Sequence, residues 1–197
     1  DSQYVTAGAK IVPSAKDIYG KADMILKVKE PQKVECEMIR KGQIIFSYLH
    51  LAAEPHLTKM LMKSGCVAIA FETVTASDRT LPLLAPMSEV AGKLSVQAGA
   101  KALEKSQGGR GILLGGVPGT SRGKVTILGG GVAGTNAAKI AIGMGARTVI
   151  LDKSLARMRY LSDVFGSSAD VLYASIENVE ENVLDADVVI GAVLIPG

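Results

Sequence analysis

Three stretches of this 197-residue chain carry residue types whose spacing can do chemistry. The first is VTILGGGVAGTNAAKIAIGMGARTVILD, residues 125–152. Gly129, Gly131 and Gly134 stand as G-x-G-x-x-G after an apolar run, where a helix-period run opens at Val132. In that setting the first glycine admits a tight turn and the second lets a diphosphate approach the N–H groups of the helix start. The third lets helix and strand pack closely. Asp152 closes the next apolar run, 23 positions after Gly129, where a carboxylate can accept hydrogen bonds from ribose hydroxyls. The same charge repels a 2′-phosphate, which favours NAD over NADP. Lys153 and Arg157 stand against that preference as cations able to hold a 2′-phosphate; in the competing arrangement Lys153 is solvated and Arg157 lies along the adenosine edge. A glycine turn that merely packs a helix on a strand is the plain alternative to dinucleotide binding.

The second stretch, ADMILKVKEP (22–31), places Lys27 and Lys29 on one face of a strand, with Lys29 at its carboxyl end. An ammonium there can hold a carboxylate and polarise a carbonyl or imine; solvated edge charges would look the same. The third, IIFSYLHLAAEP (44–55), runs an apolar strand into His50, a group able to shuttle protons near neutral pH or to sit hydrogen-bonded in a core. Glu72 ends CVAIAFE as an orienting carboxylate or a solvated strand end. Ser88 and Glu89 open a helix, placed to donate to a phosphate or to cap.

These residues need strands and helices to position them, and the apolar pattern supplies both. In the first part, strands are expected at 9–12, 23–29, 43–49 and 66–72, with helices near 14–19 and 54–64. A long helix over 88–106 has a face of small residues, the mark of a connector packed closely on another helix. Residues 108–123 hold seven of the 22 glycines and read as loop or broken strand. Beyond them the rhythm restarts, with strands at 124–128, 148–151, 170–173 and 188–190 and helices at 132–145, 155–164 and 176–183. The expectation is an α/β protein of two Rossmann-like parallel-sheet domains joined by a long helix, the first one incomplete. The division falls at 1–85, a partial substrate or catalytic domain, and 86–197, a dinucleotide-binding domain that includes the helix.

Composition removes several function classes. The 22 Lys and Arg against 19 Asp and Glu leave +3, with no basic run or stacking aromatic cluster, so nucleic acid is not an expected partner. No apolar run approaches the roughly 18 residues of a membrane span. Two cysteines and two histidines, none at ligand spacing, leave no expected metal. No nucleophile–base pair of a covalent hydrolase appears. A reducing, cytoplasmic setting is expected.

In order along the chain, ADMILKVKEP, FSYLHLA (46–52), AIAFETV (68–74), LPLLAPMSEVAG (81–92), GGRGILLGGVPG (108–119), the glycine turn and ADVVIGAVLIPG (186–197) resemble the alanine dehydrogenase family. That resemblance implies NAD-dependent, reversible oxidative deamination of L-alanine to pyruvate and ammonia. It puts the family's substrate-contacting lysine at Lys29 and its catalytic histidine at His50. It implies cofactor contacts at Ser88, Gly129, Gly131, Val132, Gly134, Asp152 and Arg157, and backbone contacts on the nicotinamide side at Val193 and Leu194. A homo-oligomer, a hexamer in the family, is also implied. The family's first strand, with a substrate-binding arginine, would precede Asp1, and a segment with a catalytic aspartate would follow Gly197. Two other readings stand beside it: the NAD-binding portion of a proton-translocating transhydrogenase, and a catalytically incomplete NAD-binding fragment.

Overall fold

Short apolar runs alternate with helix-period ones, and in the computed structural model, which describes residues 1–193, they build two compact units, Asp1–Leu84 and Ala85–Gly197. The first unit runs α1 (Ser2–Thr6), α2 (Ala15–Lys21), β1 (Met24–Leu26), α3 (Lys33–Cys36), β2 (Ile44–Ser47), α4 (Pro55–Ser64) and β3 (Val67–Ala70). Its strands form one parallel sheet in the order β1-β2-β3. Parallel neighbours require a crossover, and α4 supplies the one between β2 and β3. Pro55 starts that helix, and Gly65 stops it in the left-handed conformation at φ 68°.

One face of this sheet sends Ile25 and Ile45 into a core with Tyr19, Leu49, Leu57 and Leu61. The other face aligns Met24, Ile44 and Val67 in one row and Leu26, Phe46 and Ile69 in the next. The carbonyls that end α2 are satisfied from the segment leading into β2. Gln43 Nε2 donates to Tyr19 O at 2.9 Å and to Ala22 O at 2.7 Å, and Arg40 donates to the same two oxygens.

Two expectations for this unit fail in the structure. Residues 9–12 are irregular and mostly exposed rather than a strand, because no strand lies beside them to pair with. The strand expected over 23–29 stops at Leu26, so Lys27 and Lys29 follow it instead of sharing its face. Ladder-like hydrogen bonds nonetheless continue, with Lys27 N donating to Phe46 O and Tyr48 N donating to Val28 O, each at 3.2 Å.

The second unit runs α5 (Ala85–Ala102), β4 (Lys124–Leu128), α6 (Val132–Gly143), β5 (Arg147–Asp152), α7 (Leu155–Phe165), β6 (Asp170–Tyr173), α8 (Ile176–Leu184) and β7 (Val188–Gly191). All four strands are parallel, in the order β6-β5-β4-β7. The sheet therefore grows from β4 to one side and then, with β7, to the other. Val125, Ile127 and Ile150 are fully buried, as strands covered on both faces must be.

Helix α5 begins three residues before the expected Ser88, because Pro86 is tolerated in a first turn whose N–H groups have no helical acceptor. Its small face packs on α6 so closely that a Cβ on Gly92 would stand 2.1 Å from Ala133 O. The glycine-rich stretch 108–123 is loop with one isolated bridge, Val117 to Thr120, and it lays Leu114 into the core. Among the described residues no helix is long and apolar enough to cross a membrane, and no group of three or more His, Cys, Asp or Glu could hold a metal ion.

Candidate functional site

Beside the point where the second sheet reverses its growth, the carboxyl ends of its strands border an open groove of about 750 Å³. Such a crevice is where open α/β sheets take ligands. Leu128, Gly129 and Gly131 line it at the end of β4, Asp152 and Lys153 at the end of β5, Ser175, Ile176 and Val179 at the start of α8, and Val193 after β7. Gly129 is held at φ 97°, a conformation that side chains disfavour, and a Cβ there would meet Ala192 O and Val193 Cγ2 at 2.8 Å. At Gly134 a Cβ would stand 1.8 Å from Gly129 O, so only glycine lets α6 start this close to β4.

In front of Gly131 the space is open: a Cβ there would meet nothing within 4 Å. The N–H groups of Gly131 and Val132 have no acceptor among the described residues. These donors, at the positive end of a twelve-residue helix, suit a diphosphate. Asp152 Oδ2 accepts the N–H of Gly130 at 2.7 Å and Oδ1 accepts that of Ser154 at 2.8 Å. Each carboxylate oxygen keeps a further lone pair for a hydroxyl. Free N–H groups, a neighbouring carboxylate and apolar walls together fit a dinucleotide.

Arg157 sits behind this turn rather than among the groove's lining residues. Its Nε donates to Gly130 O at 2.5 Å, and its Nη2 donates to Thr135 Oγ1 at 2.6 Å and to Gly131 O at 3.4 Å. The guanidinium also lies over the Tyr160 ring, 4.5 Å from its centroid.

In the first unit, Lys27 is tied to Glu35 at 2.5 Å, whereas Lys29 is exposed and makes no ion pair among the described residues. His50 lies just past β2 at φ 49°, a left-handed conformation uncommon for a non-glycine residue. Glu72 steadies this corner. It accepts the N–H of His50 at 2.7 Å and that of Leu49 at 3.1 and 3.3 Å. Burial pushes the Glu72 carboxyl up, but these backbone donors and the nearby His50 outweigh burial and hold it below the usual range. The Tyr48 ring stacks on the His50 imidazole at 6.0 Å, while Phe71 meets Tyr48 edge-on. Between solvated strand end and orienting carboxylate, Glu72 is the second.

Of the candidate residues in the second unit, Gly129, Gly131, Asp152 and Val193 border one groove. Val132 opens α6, Gly134 packs under the turn, and Arg157 holds the turn from behind. Ser88 is half-buried on α5, one helical turn before Gly92 and therefore on the face that meets α6. Lys29 and His50 belong to the first unit, and Leu194 lies outside the described residues. The sequence reading did not include Thr135, Ser175, Ile176 and Val179. Ser175 follows β6 much as Lys153 follows β5, so the rule that ligands sit past parallel strand ends would have found it; nothing local marked Thr135.

The model of the alanine dehydrogenase/PNT N-terminal domain matches residues 1–91, and that of the alanine dehydrogenase/PNT C-terminal domain matches residues 95–197. The chain is 54% identical over 197 residues to the alanine dehydrogenase of Methanococcus maripaludis, covering 100% of this chain and 53% of that protein. It thus spans about half the length of the curated relatives it matches. A solved L-alanine dehydrogenase superposes with a TM-score of 0.87 at 55% identity, over 100% of this chain and 54% of that one. A transhydrogenase from Sinorhizobium meliloti superposes at 0.75 with 25% identity, over 100% of this chain and 57% of that one.

Proposed function

Since the chain belongs to the alanine dehydrogenase/PNT family, we propose that it serves the NAD-dependent, reversible oxidative deamination of L-alanine to pyruvate and ammonia. The observation that carries this reading is the groove past β4 and β5, where the free N–H groups of Gly131 and Val132 stand beside the carboxylate of Asp152. Higher identity to alanine dehydrogenases than to the transhydrogenase supports the choice between the two reactions.

In this reading the N–H groups of Gly131 and Val132 hold the diphosphate, and Asp152 accepts from the ribose hydroxyls. Ser88 donates to the cofactor, and the backbone at Val193 and Leu194 meets its nicotinamide side. Bound NAD supplies the hydride acceptor. Lys29, unlike Lys27, has no carboxylate partner among the described residues, and its ammonium is the one offered to a substrate carboxylate. His50 moves protons at its imidazole between water and the nitrogen that leaves as ammonia, a role worth about 10²–10⁴-fold in rate. Glu72 holds the backbone of His50 in place for it. The reading extends to a cytoplasmic homo-oligomer, a hexamer, which sedimentation would test.

The direct test is a titration with NADH against NADPH, followed by nicotinamide fluorescence, and then turnover with L-alanine. Saturable binding that prefers NADH supports the reading; equal or better NADPH binding overturns the role of Asp152. Reduction of an acetylpyridine NAD analogue by NADPH with no response to alanine would select the transhydrogenase reading. NADH binding with no turnover, even with the remaining segments of the family fold added in trans, would select a binding fragment.

A further inference from the structure

We propose that Thr135 and Arg157 are positioning residues for the dinucleotide turn, acting on its peptide planes from behind rather than on the ligand; this rests on the dinucleotide reading above and deepens it. Three consecutive glycines, Gly129 to Gly131, give the turn no side chains to resist a peptide flip. In a trans peptide the carbonyl of one residue and the N–H of the next point in opposite directions. Whatever holds Gly130 O therefore aims the N–H of Gly131.

Two groups hold that oxygen, Arg157 Nε at 2.5 Å and Thr135 Oγ1 at 3.0 Å. The Thr135 hydroxyl gives its one proton to Gly130 O and accepts from Arg157 Nη2 at 2.6 Å, so each partner fixes the other. On the preceding plane the N–H of Gly130 is fixed by Asp152 Oδ2 at 2.7 Å. With both planes pinned, the N–H of Gly131 has no acceptor among the described residues and points away from the latch. The same bonds use Nε and Nη2 of Arg157 and hold its guanidinium against the back of the turn.

The test compares Thr135→Val, Thr135→Ser, Arg157→Lys and the Thr135→Val/Arg157→Lys double variant of the 197-residue chain. NADH affinity is read by nicotinamide fluorescence. Exchange of the Gly130 amide hydrogen is read by NMR without ligand, with a thermal melt to check folding. Thr135→Val is expected to weaken NADH binding about tenfold and to speed Gly130 exchange by a similar factor. Thr135→Ser, which keeps the hydroxyl, should behave as the parent. The double variant should bind no worse than Arg157→Lys alone, since both changes release one latch. Parent-like binding and exchange in Thr135→Val would overturn the proposal. So would fully additive losses, which would make Arg157 a direct ligand contact. Accelerated exchange in Thr135→Val, in a parent chain that binds no NADH, would keep the latch and remove the dinucleotide reading.

Discussion

Replacing Asp152 with Ala removes two acceptors at once, and the structure sets the size of each loss. The N–H of Gly130 is partly buried and donates to an ionised oxygen at 2.7 Å, so leaving it unpaired costs about 1.5–3 kcal/mol. The Ser154 N–H, bonded at 2.8 Å, is exposed, and water replaces most of that bond at a cost of about 0.5 kcal/mol. Together the loss is about 2–3.5 kcal/mol, which lowers the melting temperature of a unit this size by on the order of 10 °C. Binding suffers separately. Two charge-assisted bonds to ribose hydroxyls, at about 1.5 kcal/mol each in a groove open to water, amount to roughly a hundredfold loss of NADH affinity. NADPH loses less, because a doubly charged 2′-phosphate about 4 Å from Asp152 is relieved of about 2 kcal/mol of repulsion even at the dielectric of water. Fluorescence titrations with both cofactors and a thermal melt of Asp152→Ala give every quantity. An unchanged melting point would refute the turn-holding bond, and NADH affinity within twofold of the parent would refute the ribose role.

Gly134→Ala places a methyl 1.8 Å from Gly129 O; the turn must move, and NADH affinity should fall more than tenfold with a lowered melting point, by the same two assays. Lys124 is nearly buried and donates to the exposed Asp185 at 2.9 Å. Asp185→Ala strands the ammonium and should destabilise in a denaturant titration, whereas Lys124→Met removes the charge itself and should leave a chain at least as stable as the parent. In the first unit, Glu72 and Glu35 both ionise more readily than usual. Burial opposes this at each, but backbone donors prevail at Glu72, and Lys27 with the Gln32 N–H prevail at Glu35. A lowered folded pKa means that their stabilisation is complete above the unfolded value of about 4.3 and is lost as pH falls through the folded one. Urea melts should therefore show falling stability below that point, with a flatter acid limb in Glu72→Gln.

The second unit was the more legible half because its central strands, β4 and β5, are buried along nearly their whole length and stand out as largely apolar runs. The runs at 124–128, 148–151, 170–173 and 188–190 needed at most a residue of adjustment at each end. In the first unit, AKIV at 9–12 has strand composition but no neighbour, and pairing rather than propensity makes a strand. The four-residue α3 is too short for any period to register. At the site, the turn and Asp152 are local in sequence and so were readable. The destination of Arg157 was not, since its acceptors lie 22 to 27 positions away and depend on how the turn folds.

The β2 segment has a further consequence. It reads IIFS, so an isoleucine is directed to each of its two faces, Ile44 with Phe46 to one and Ile45 with Ser47 to the other. Such a strand specifies its own alignment only weakly, since a slip by one position still presents an isoleucine to the core. The index mark stands just before it. Gln43 accepts the N–H of Arg40 next to it and donates across to Tyr19 O and Ala22 O, two bonds that accompany the pairing of Ile44 with Met24. Damage to that amide would therefore surface as a population of two interleaved packings, not as a hole in one.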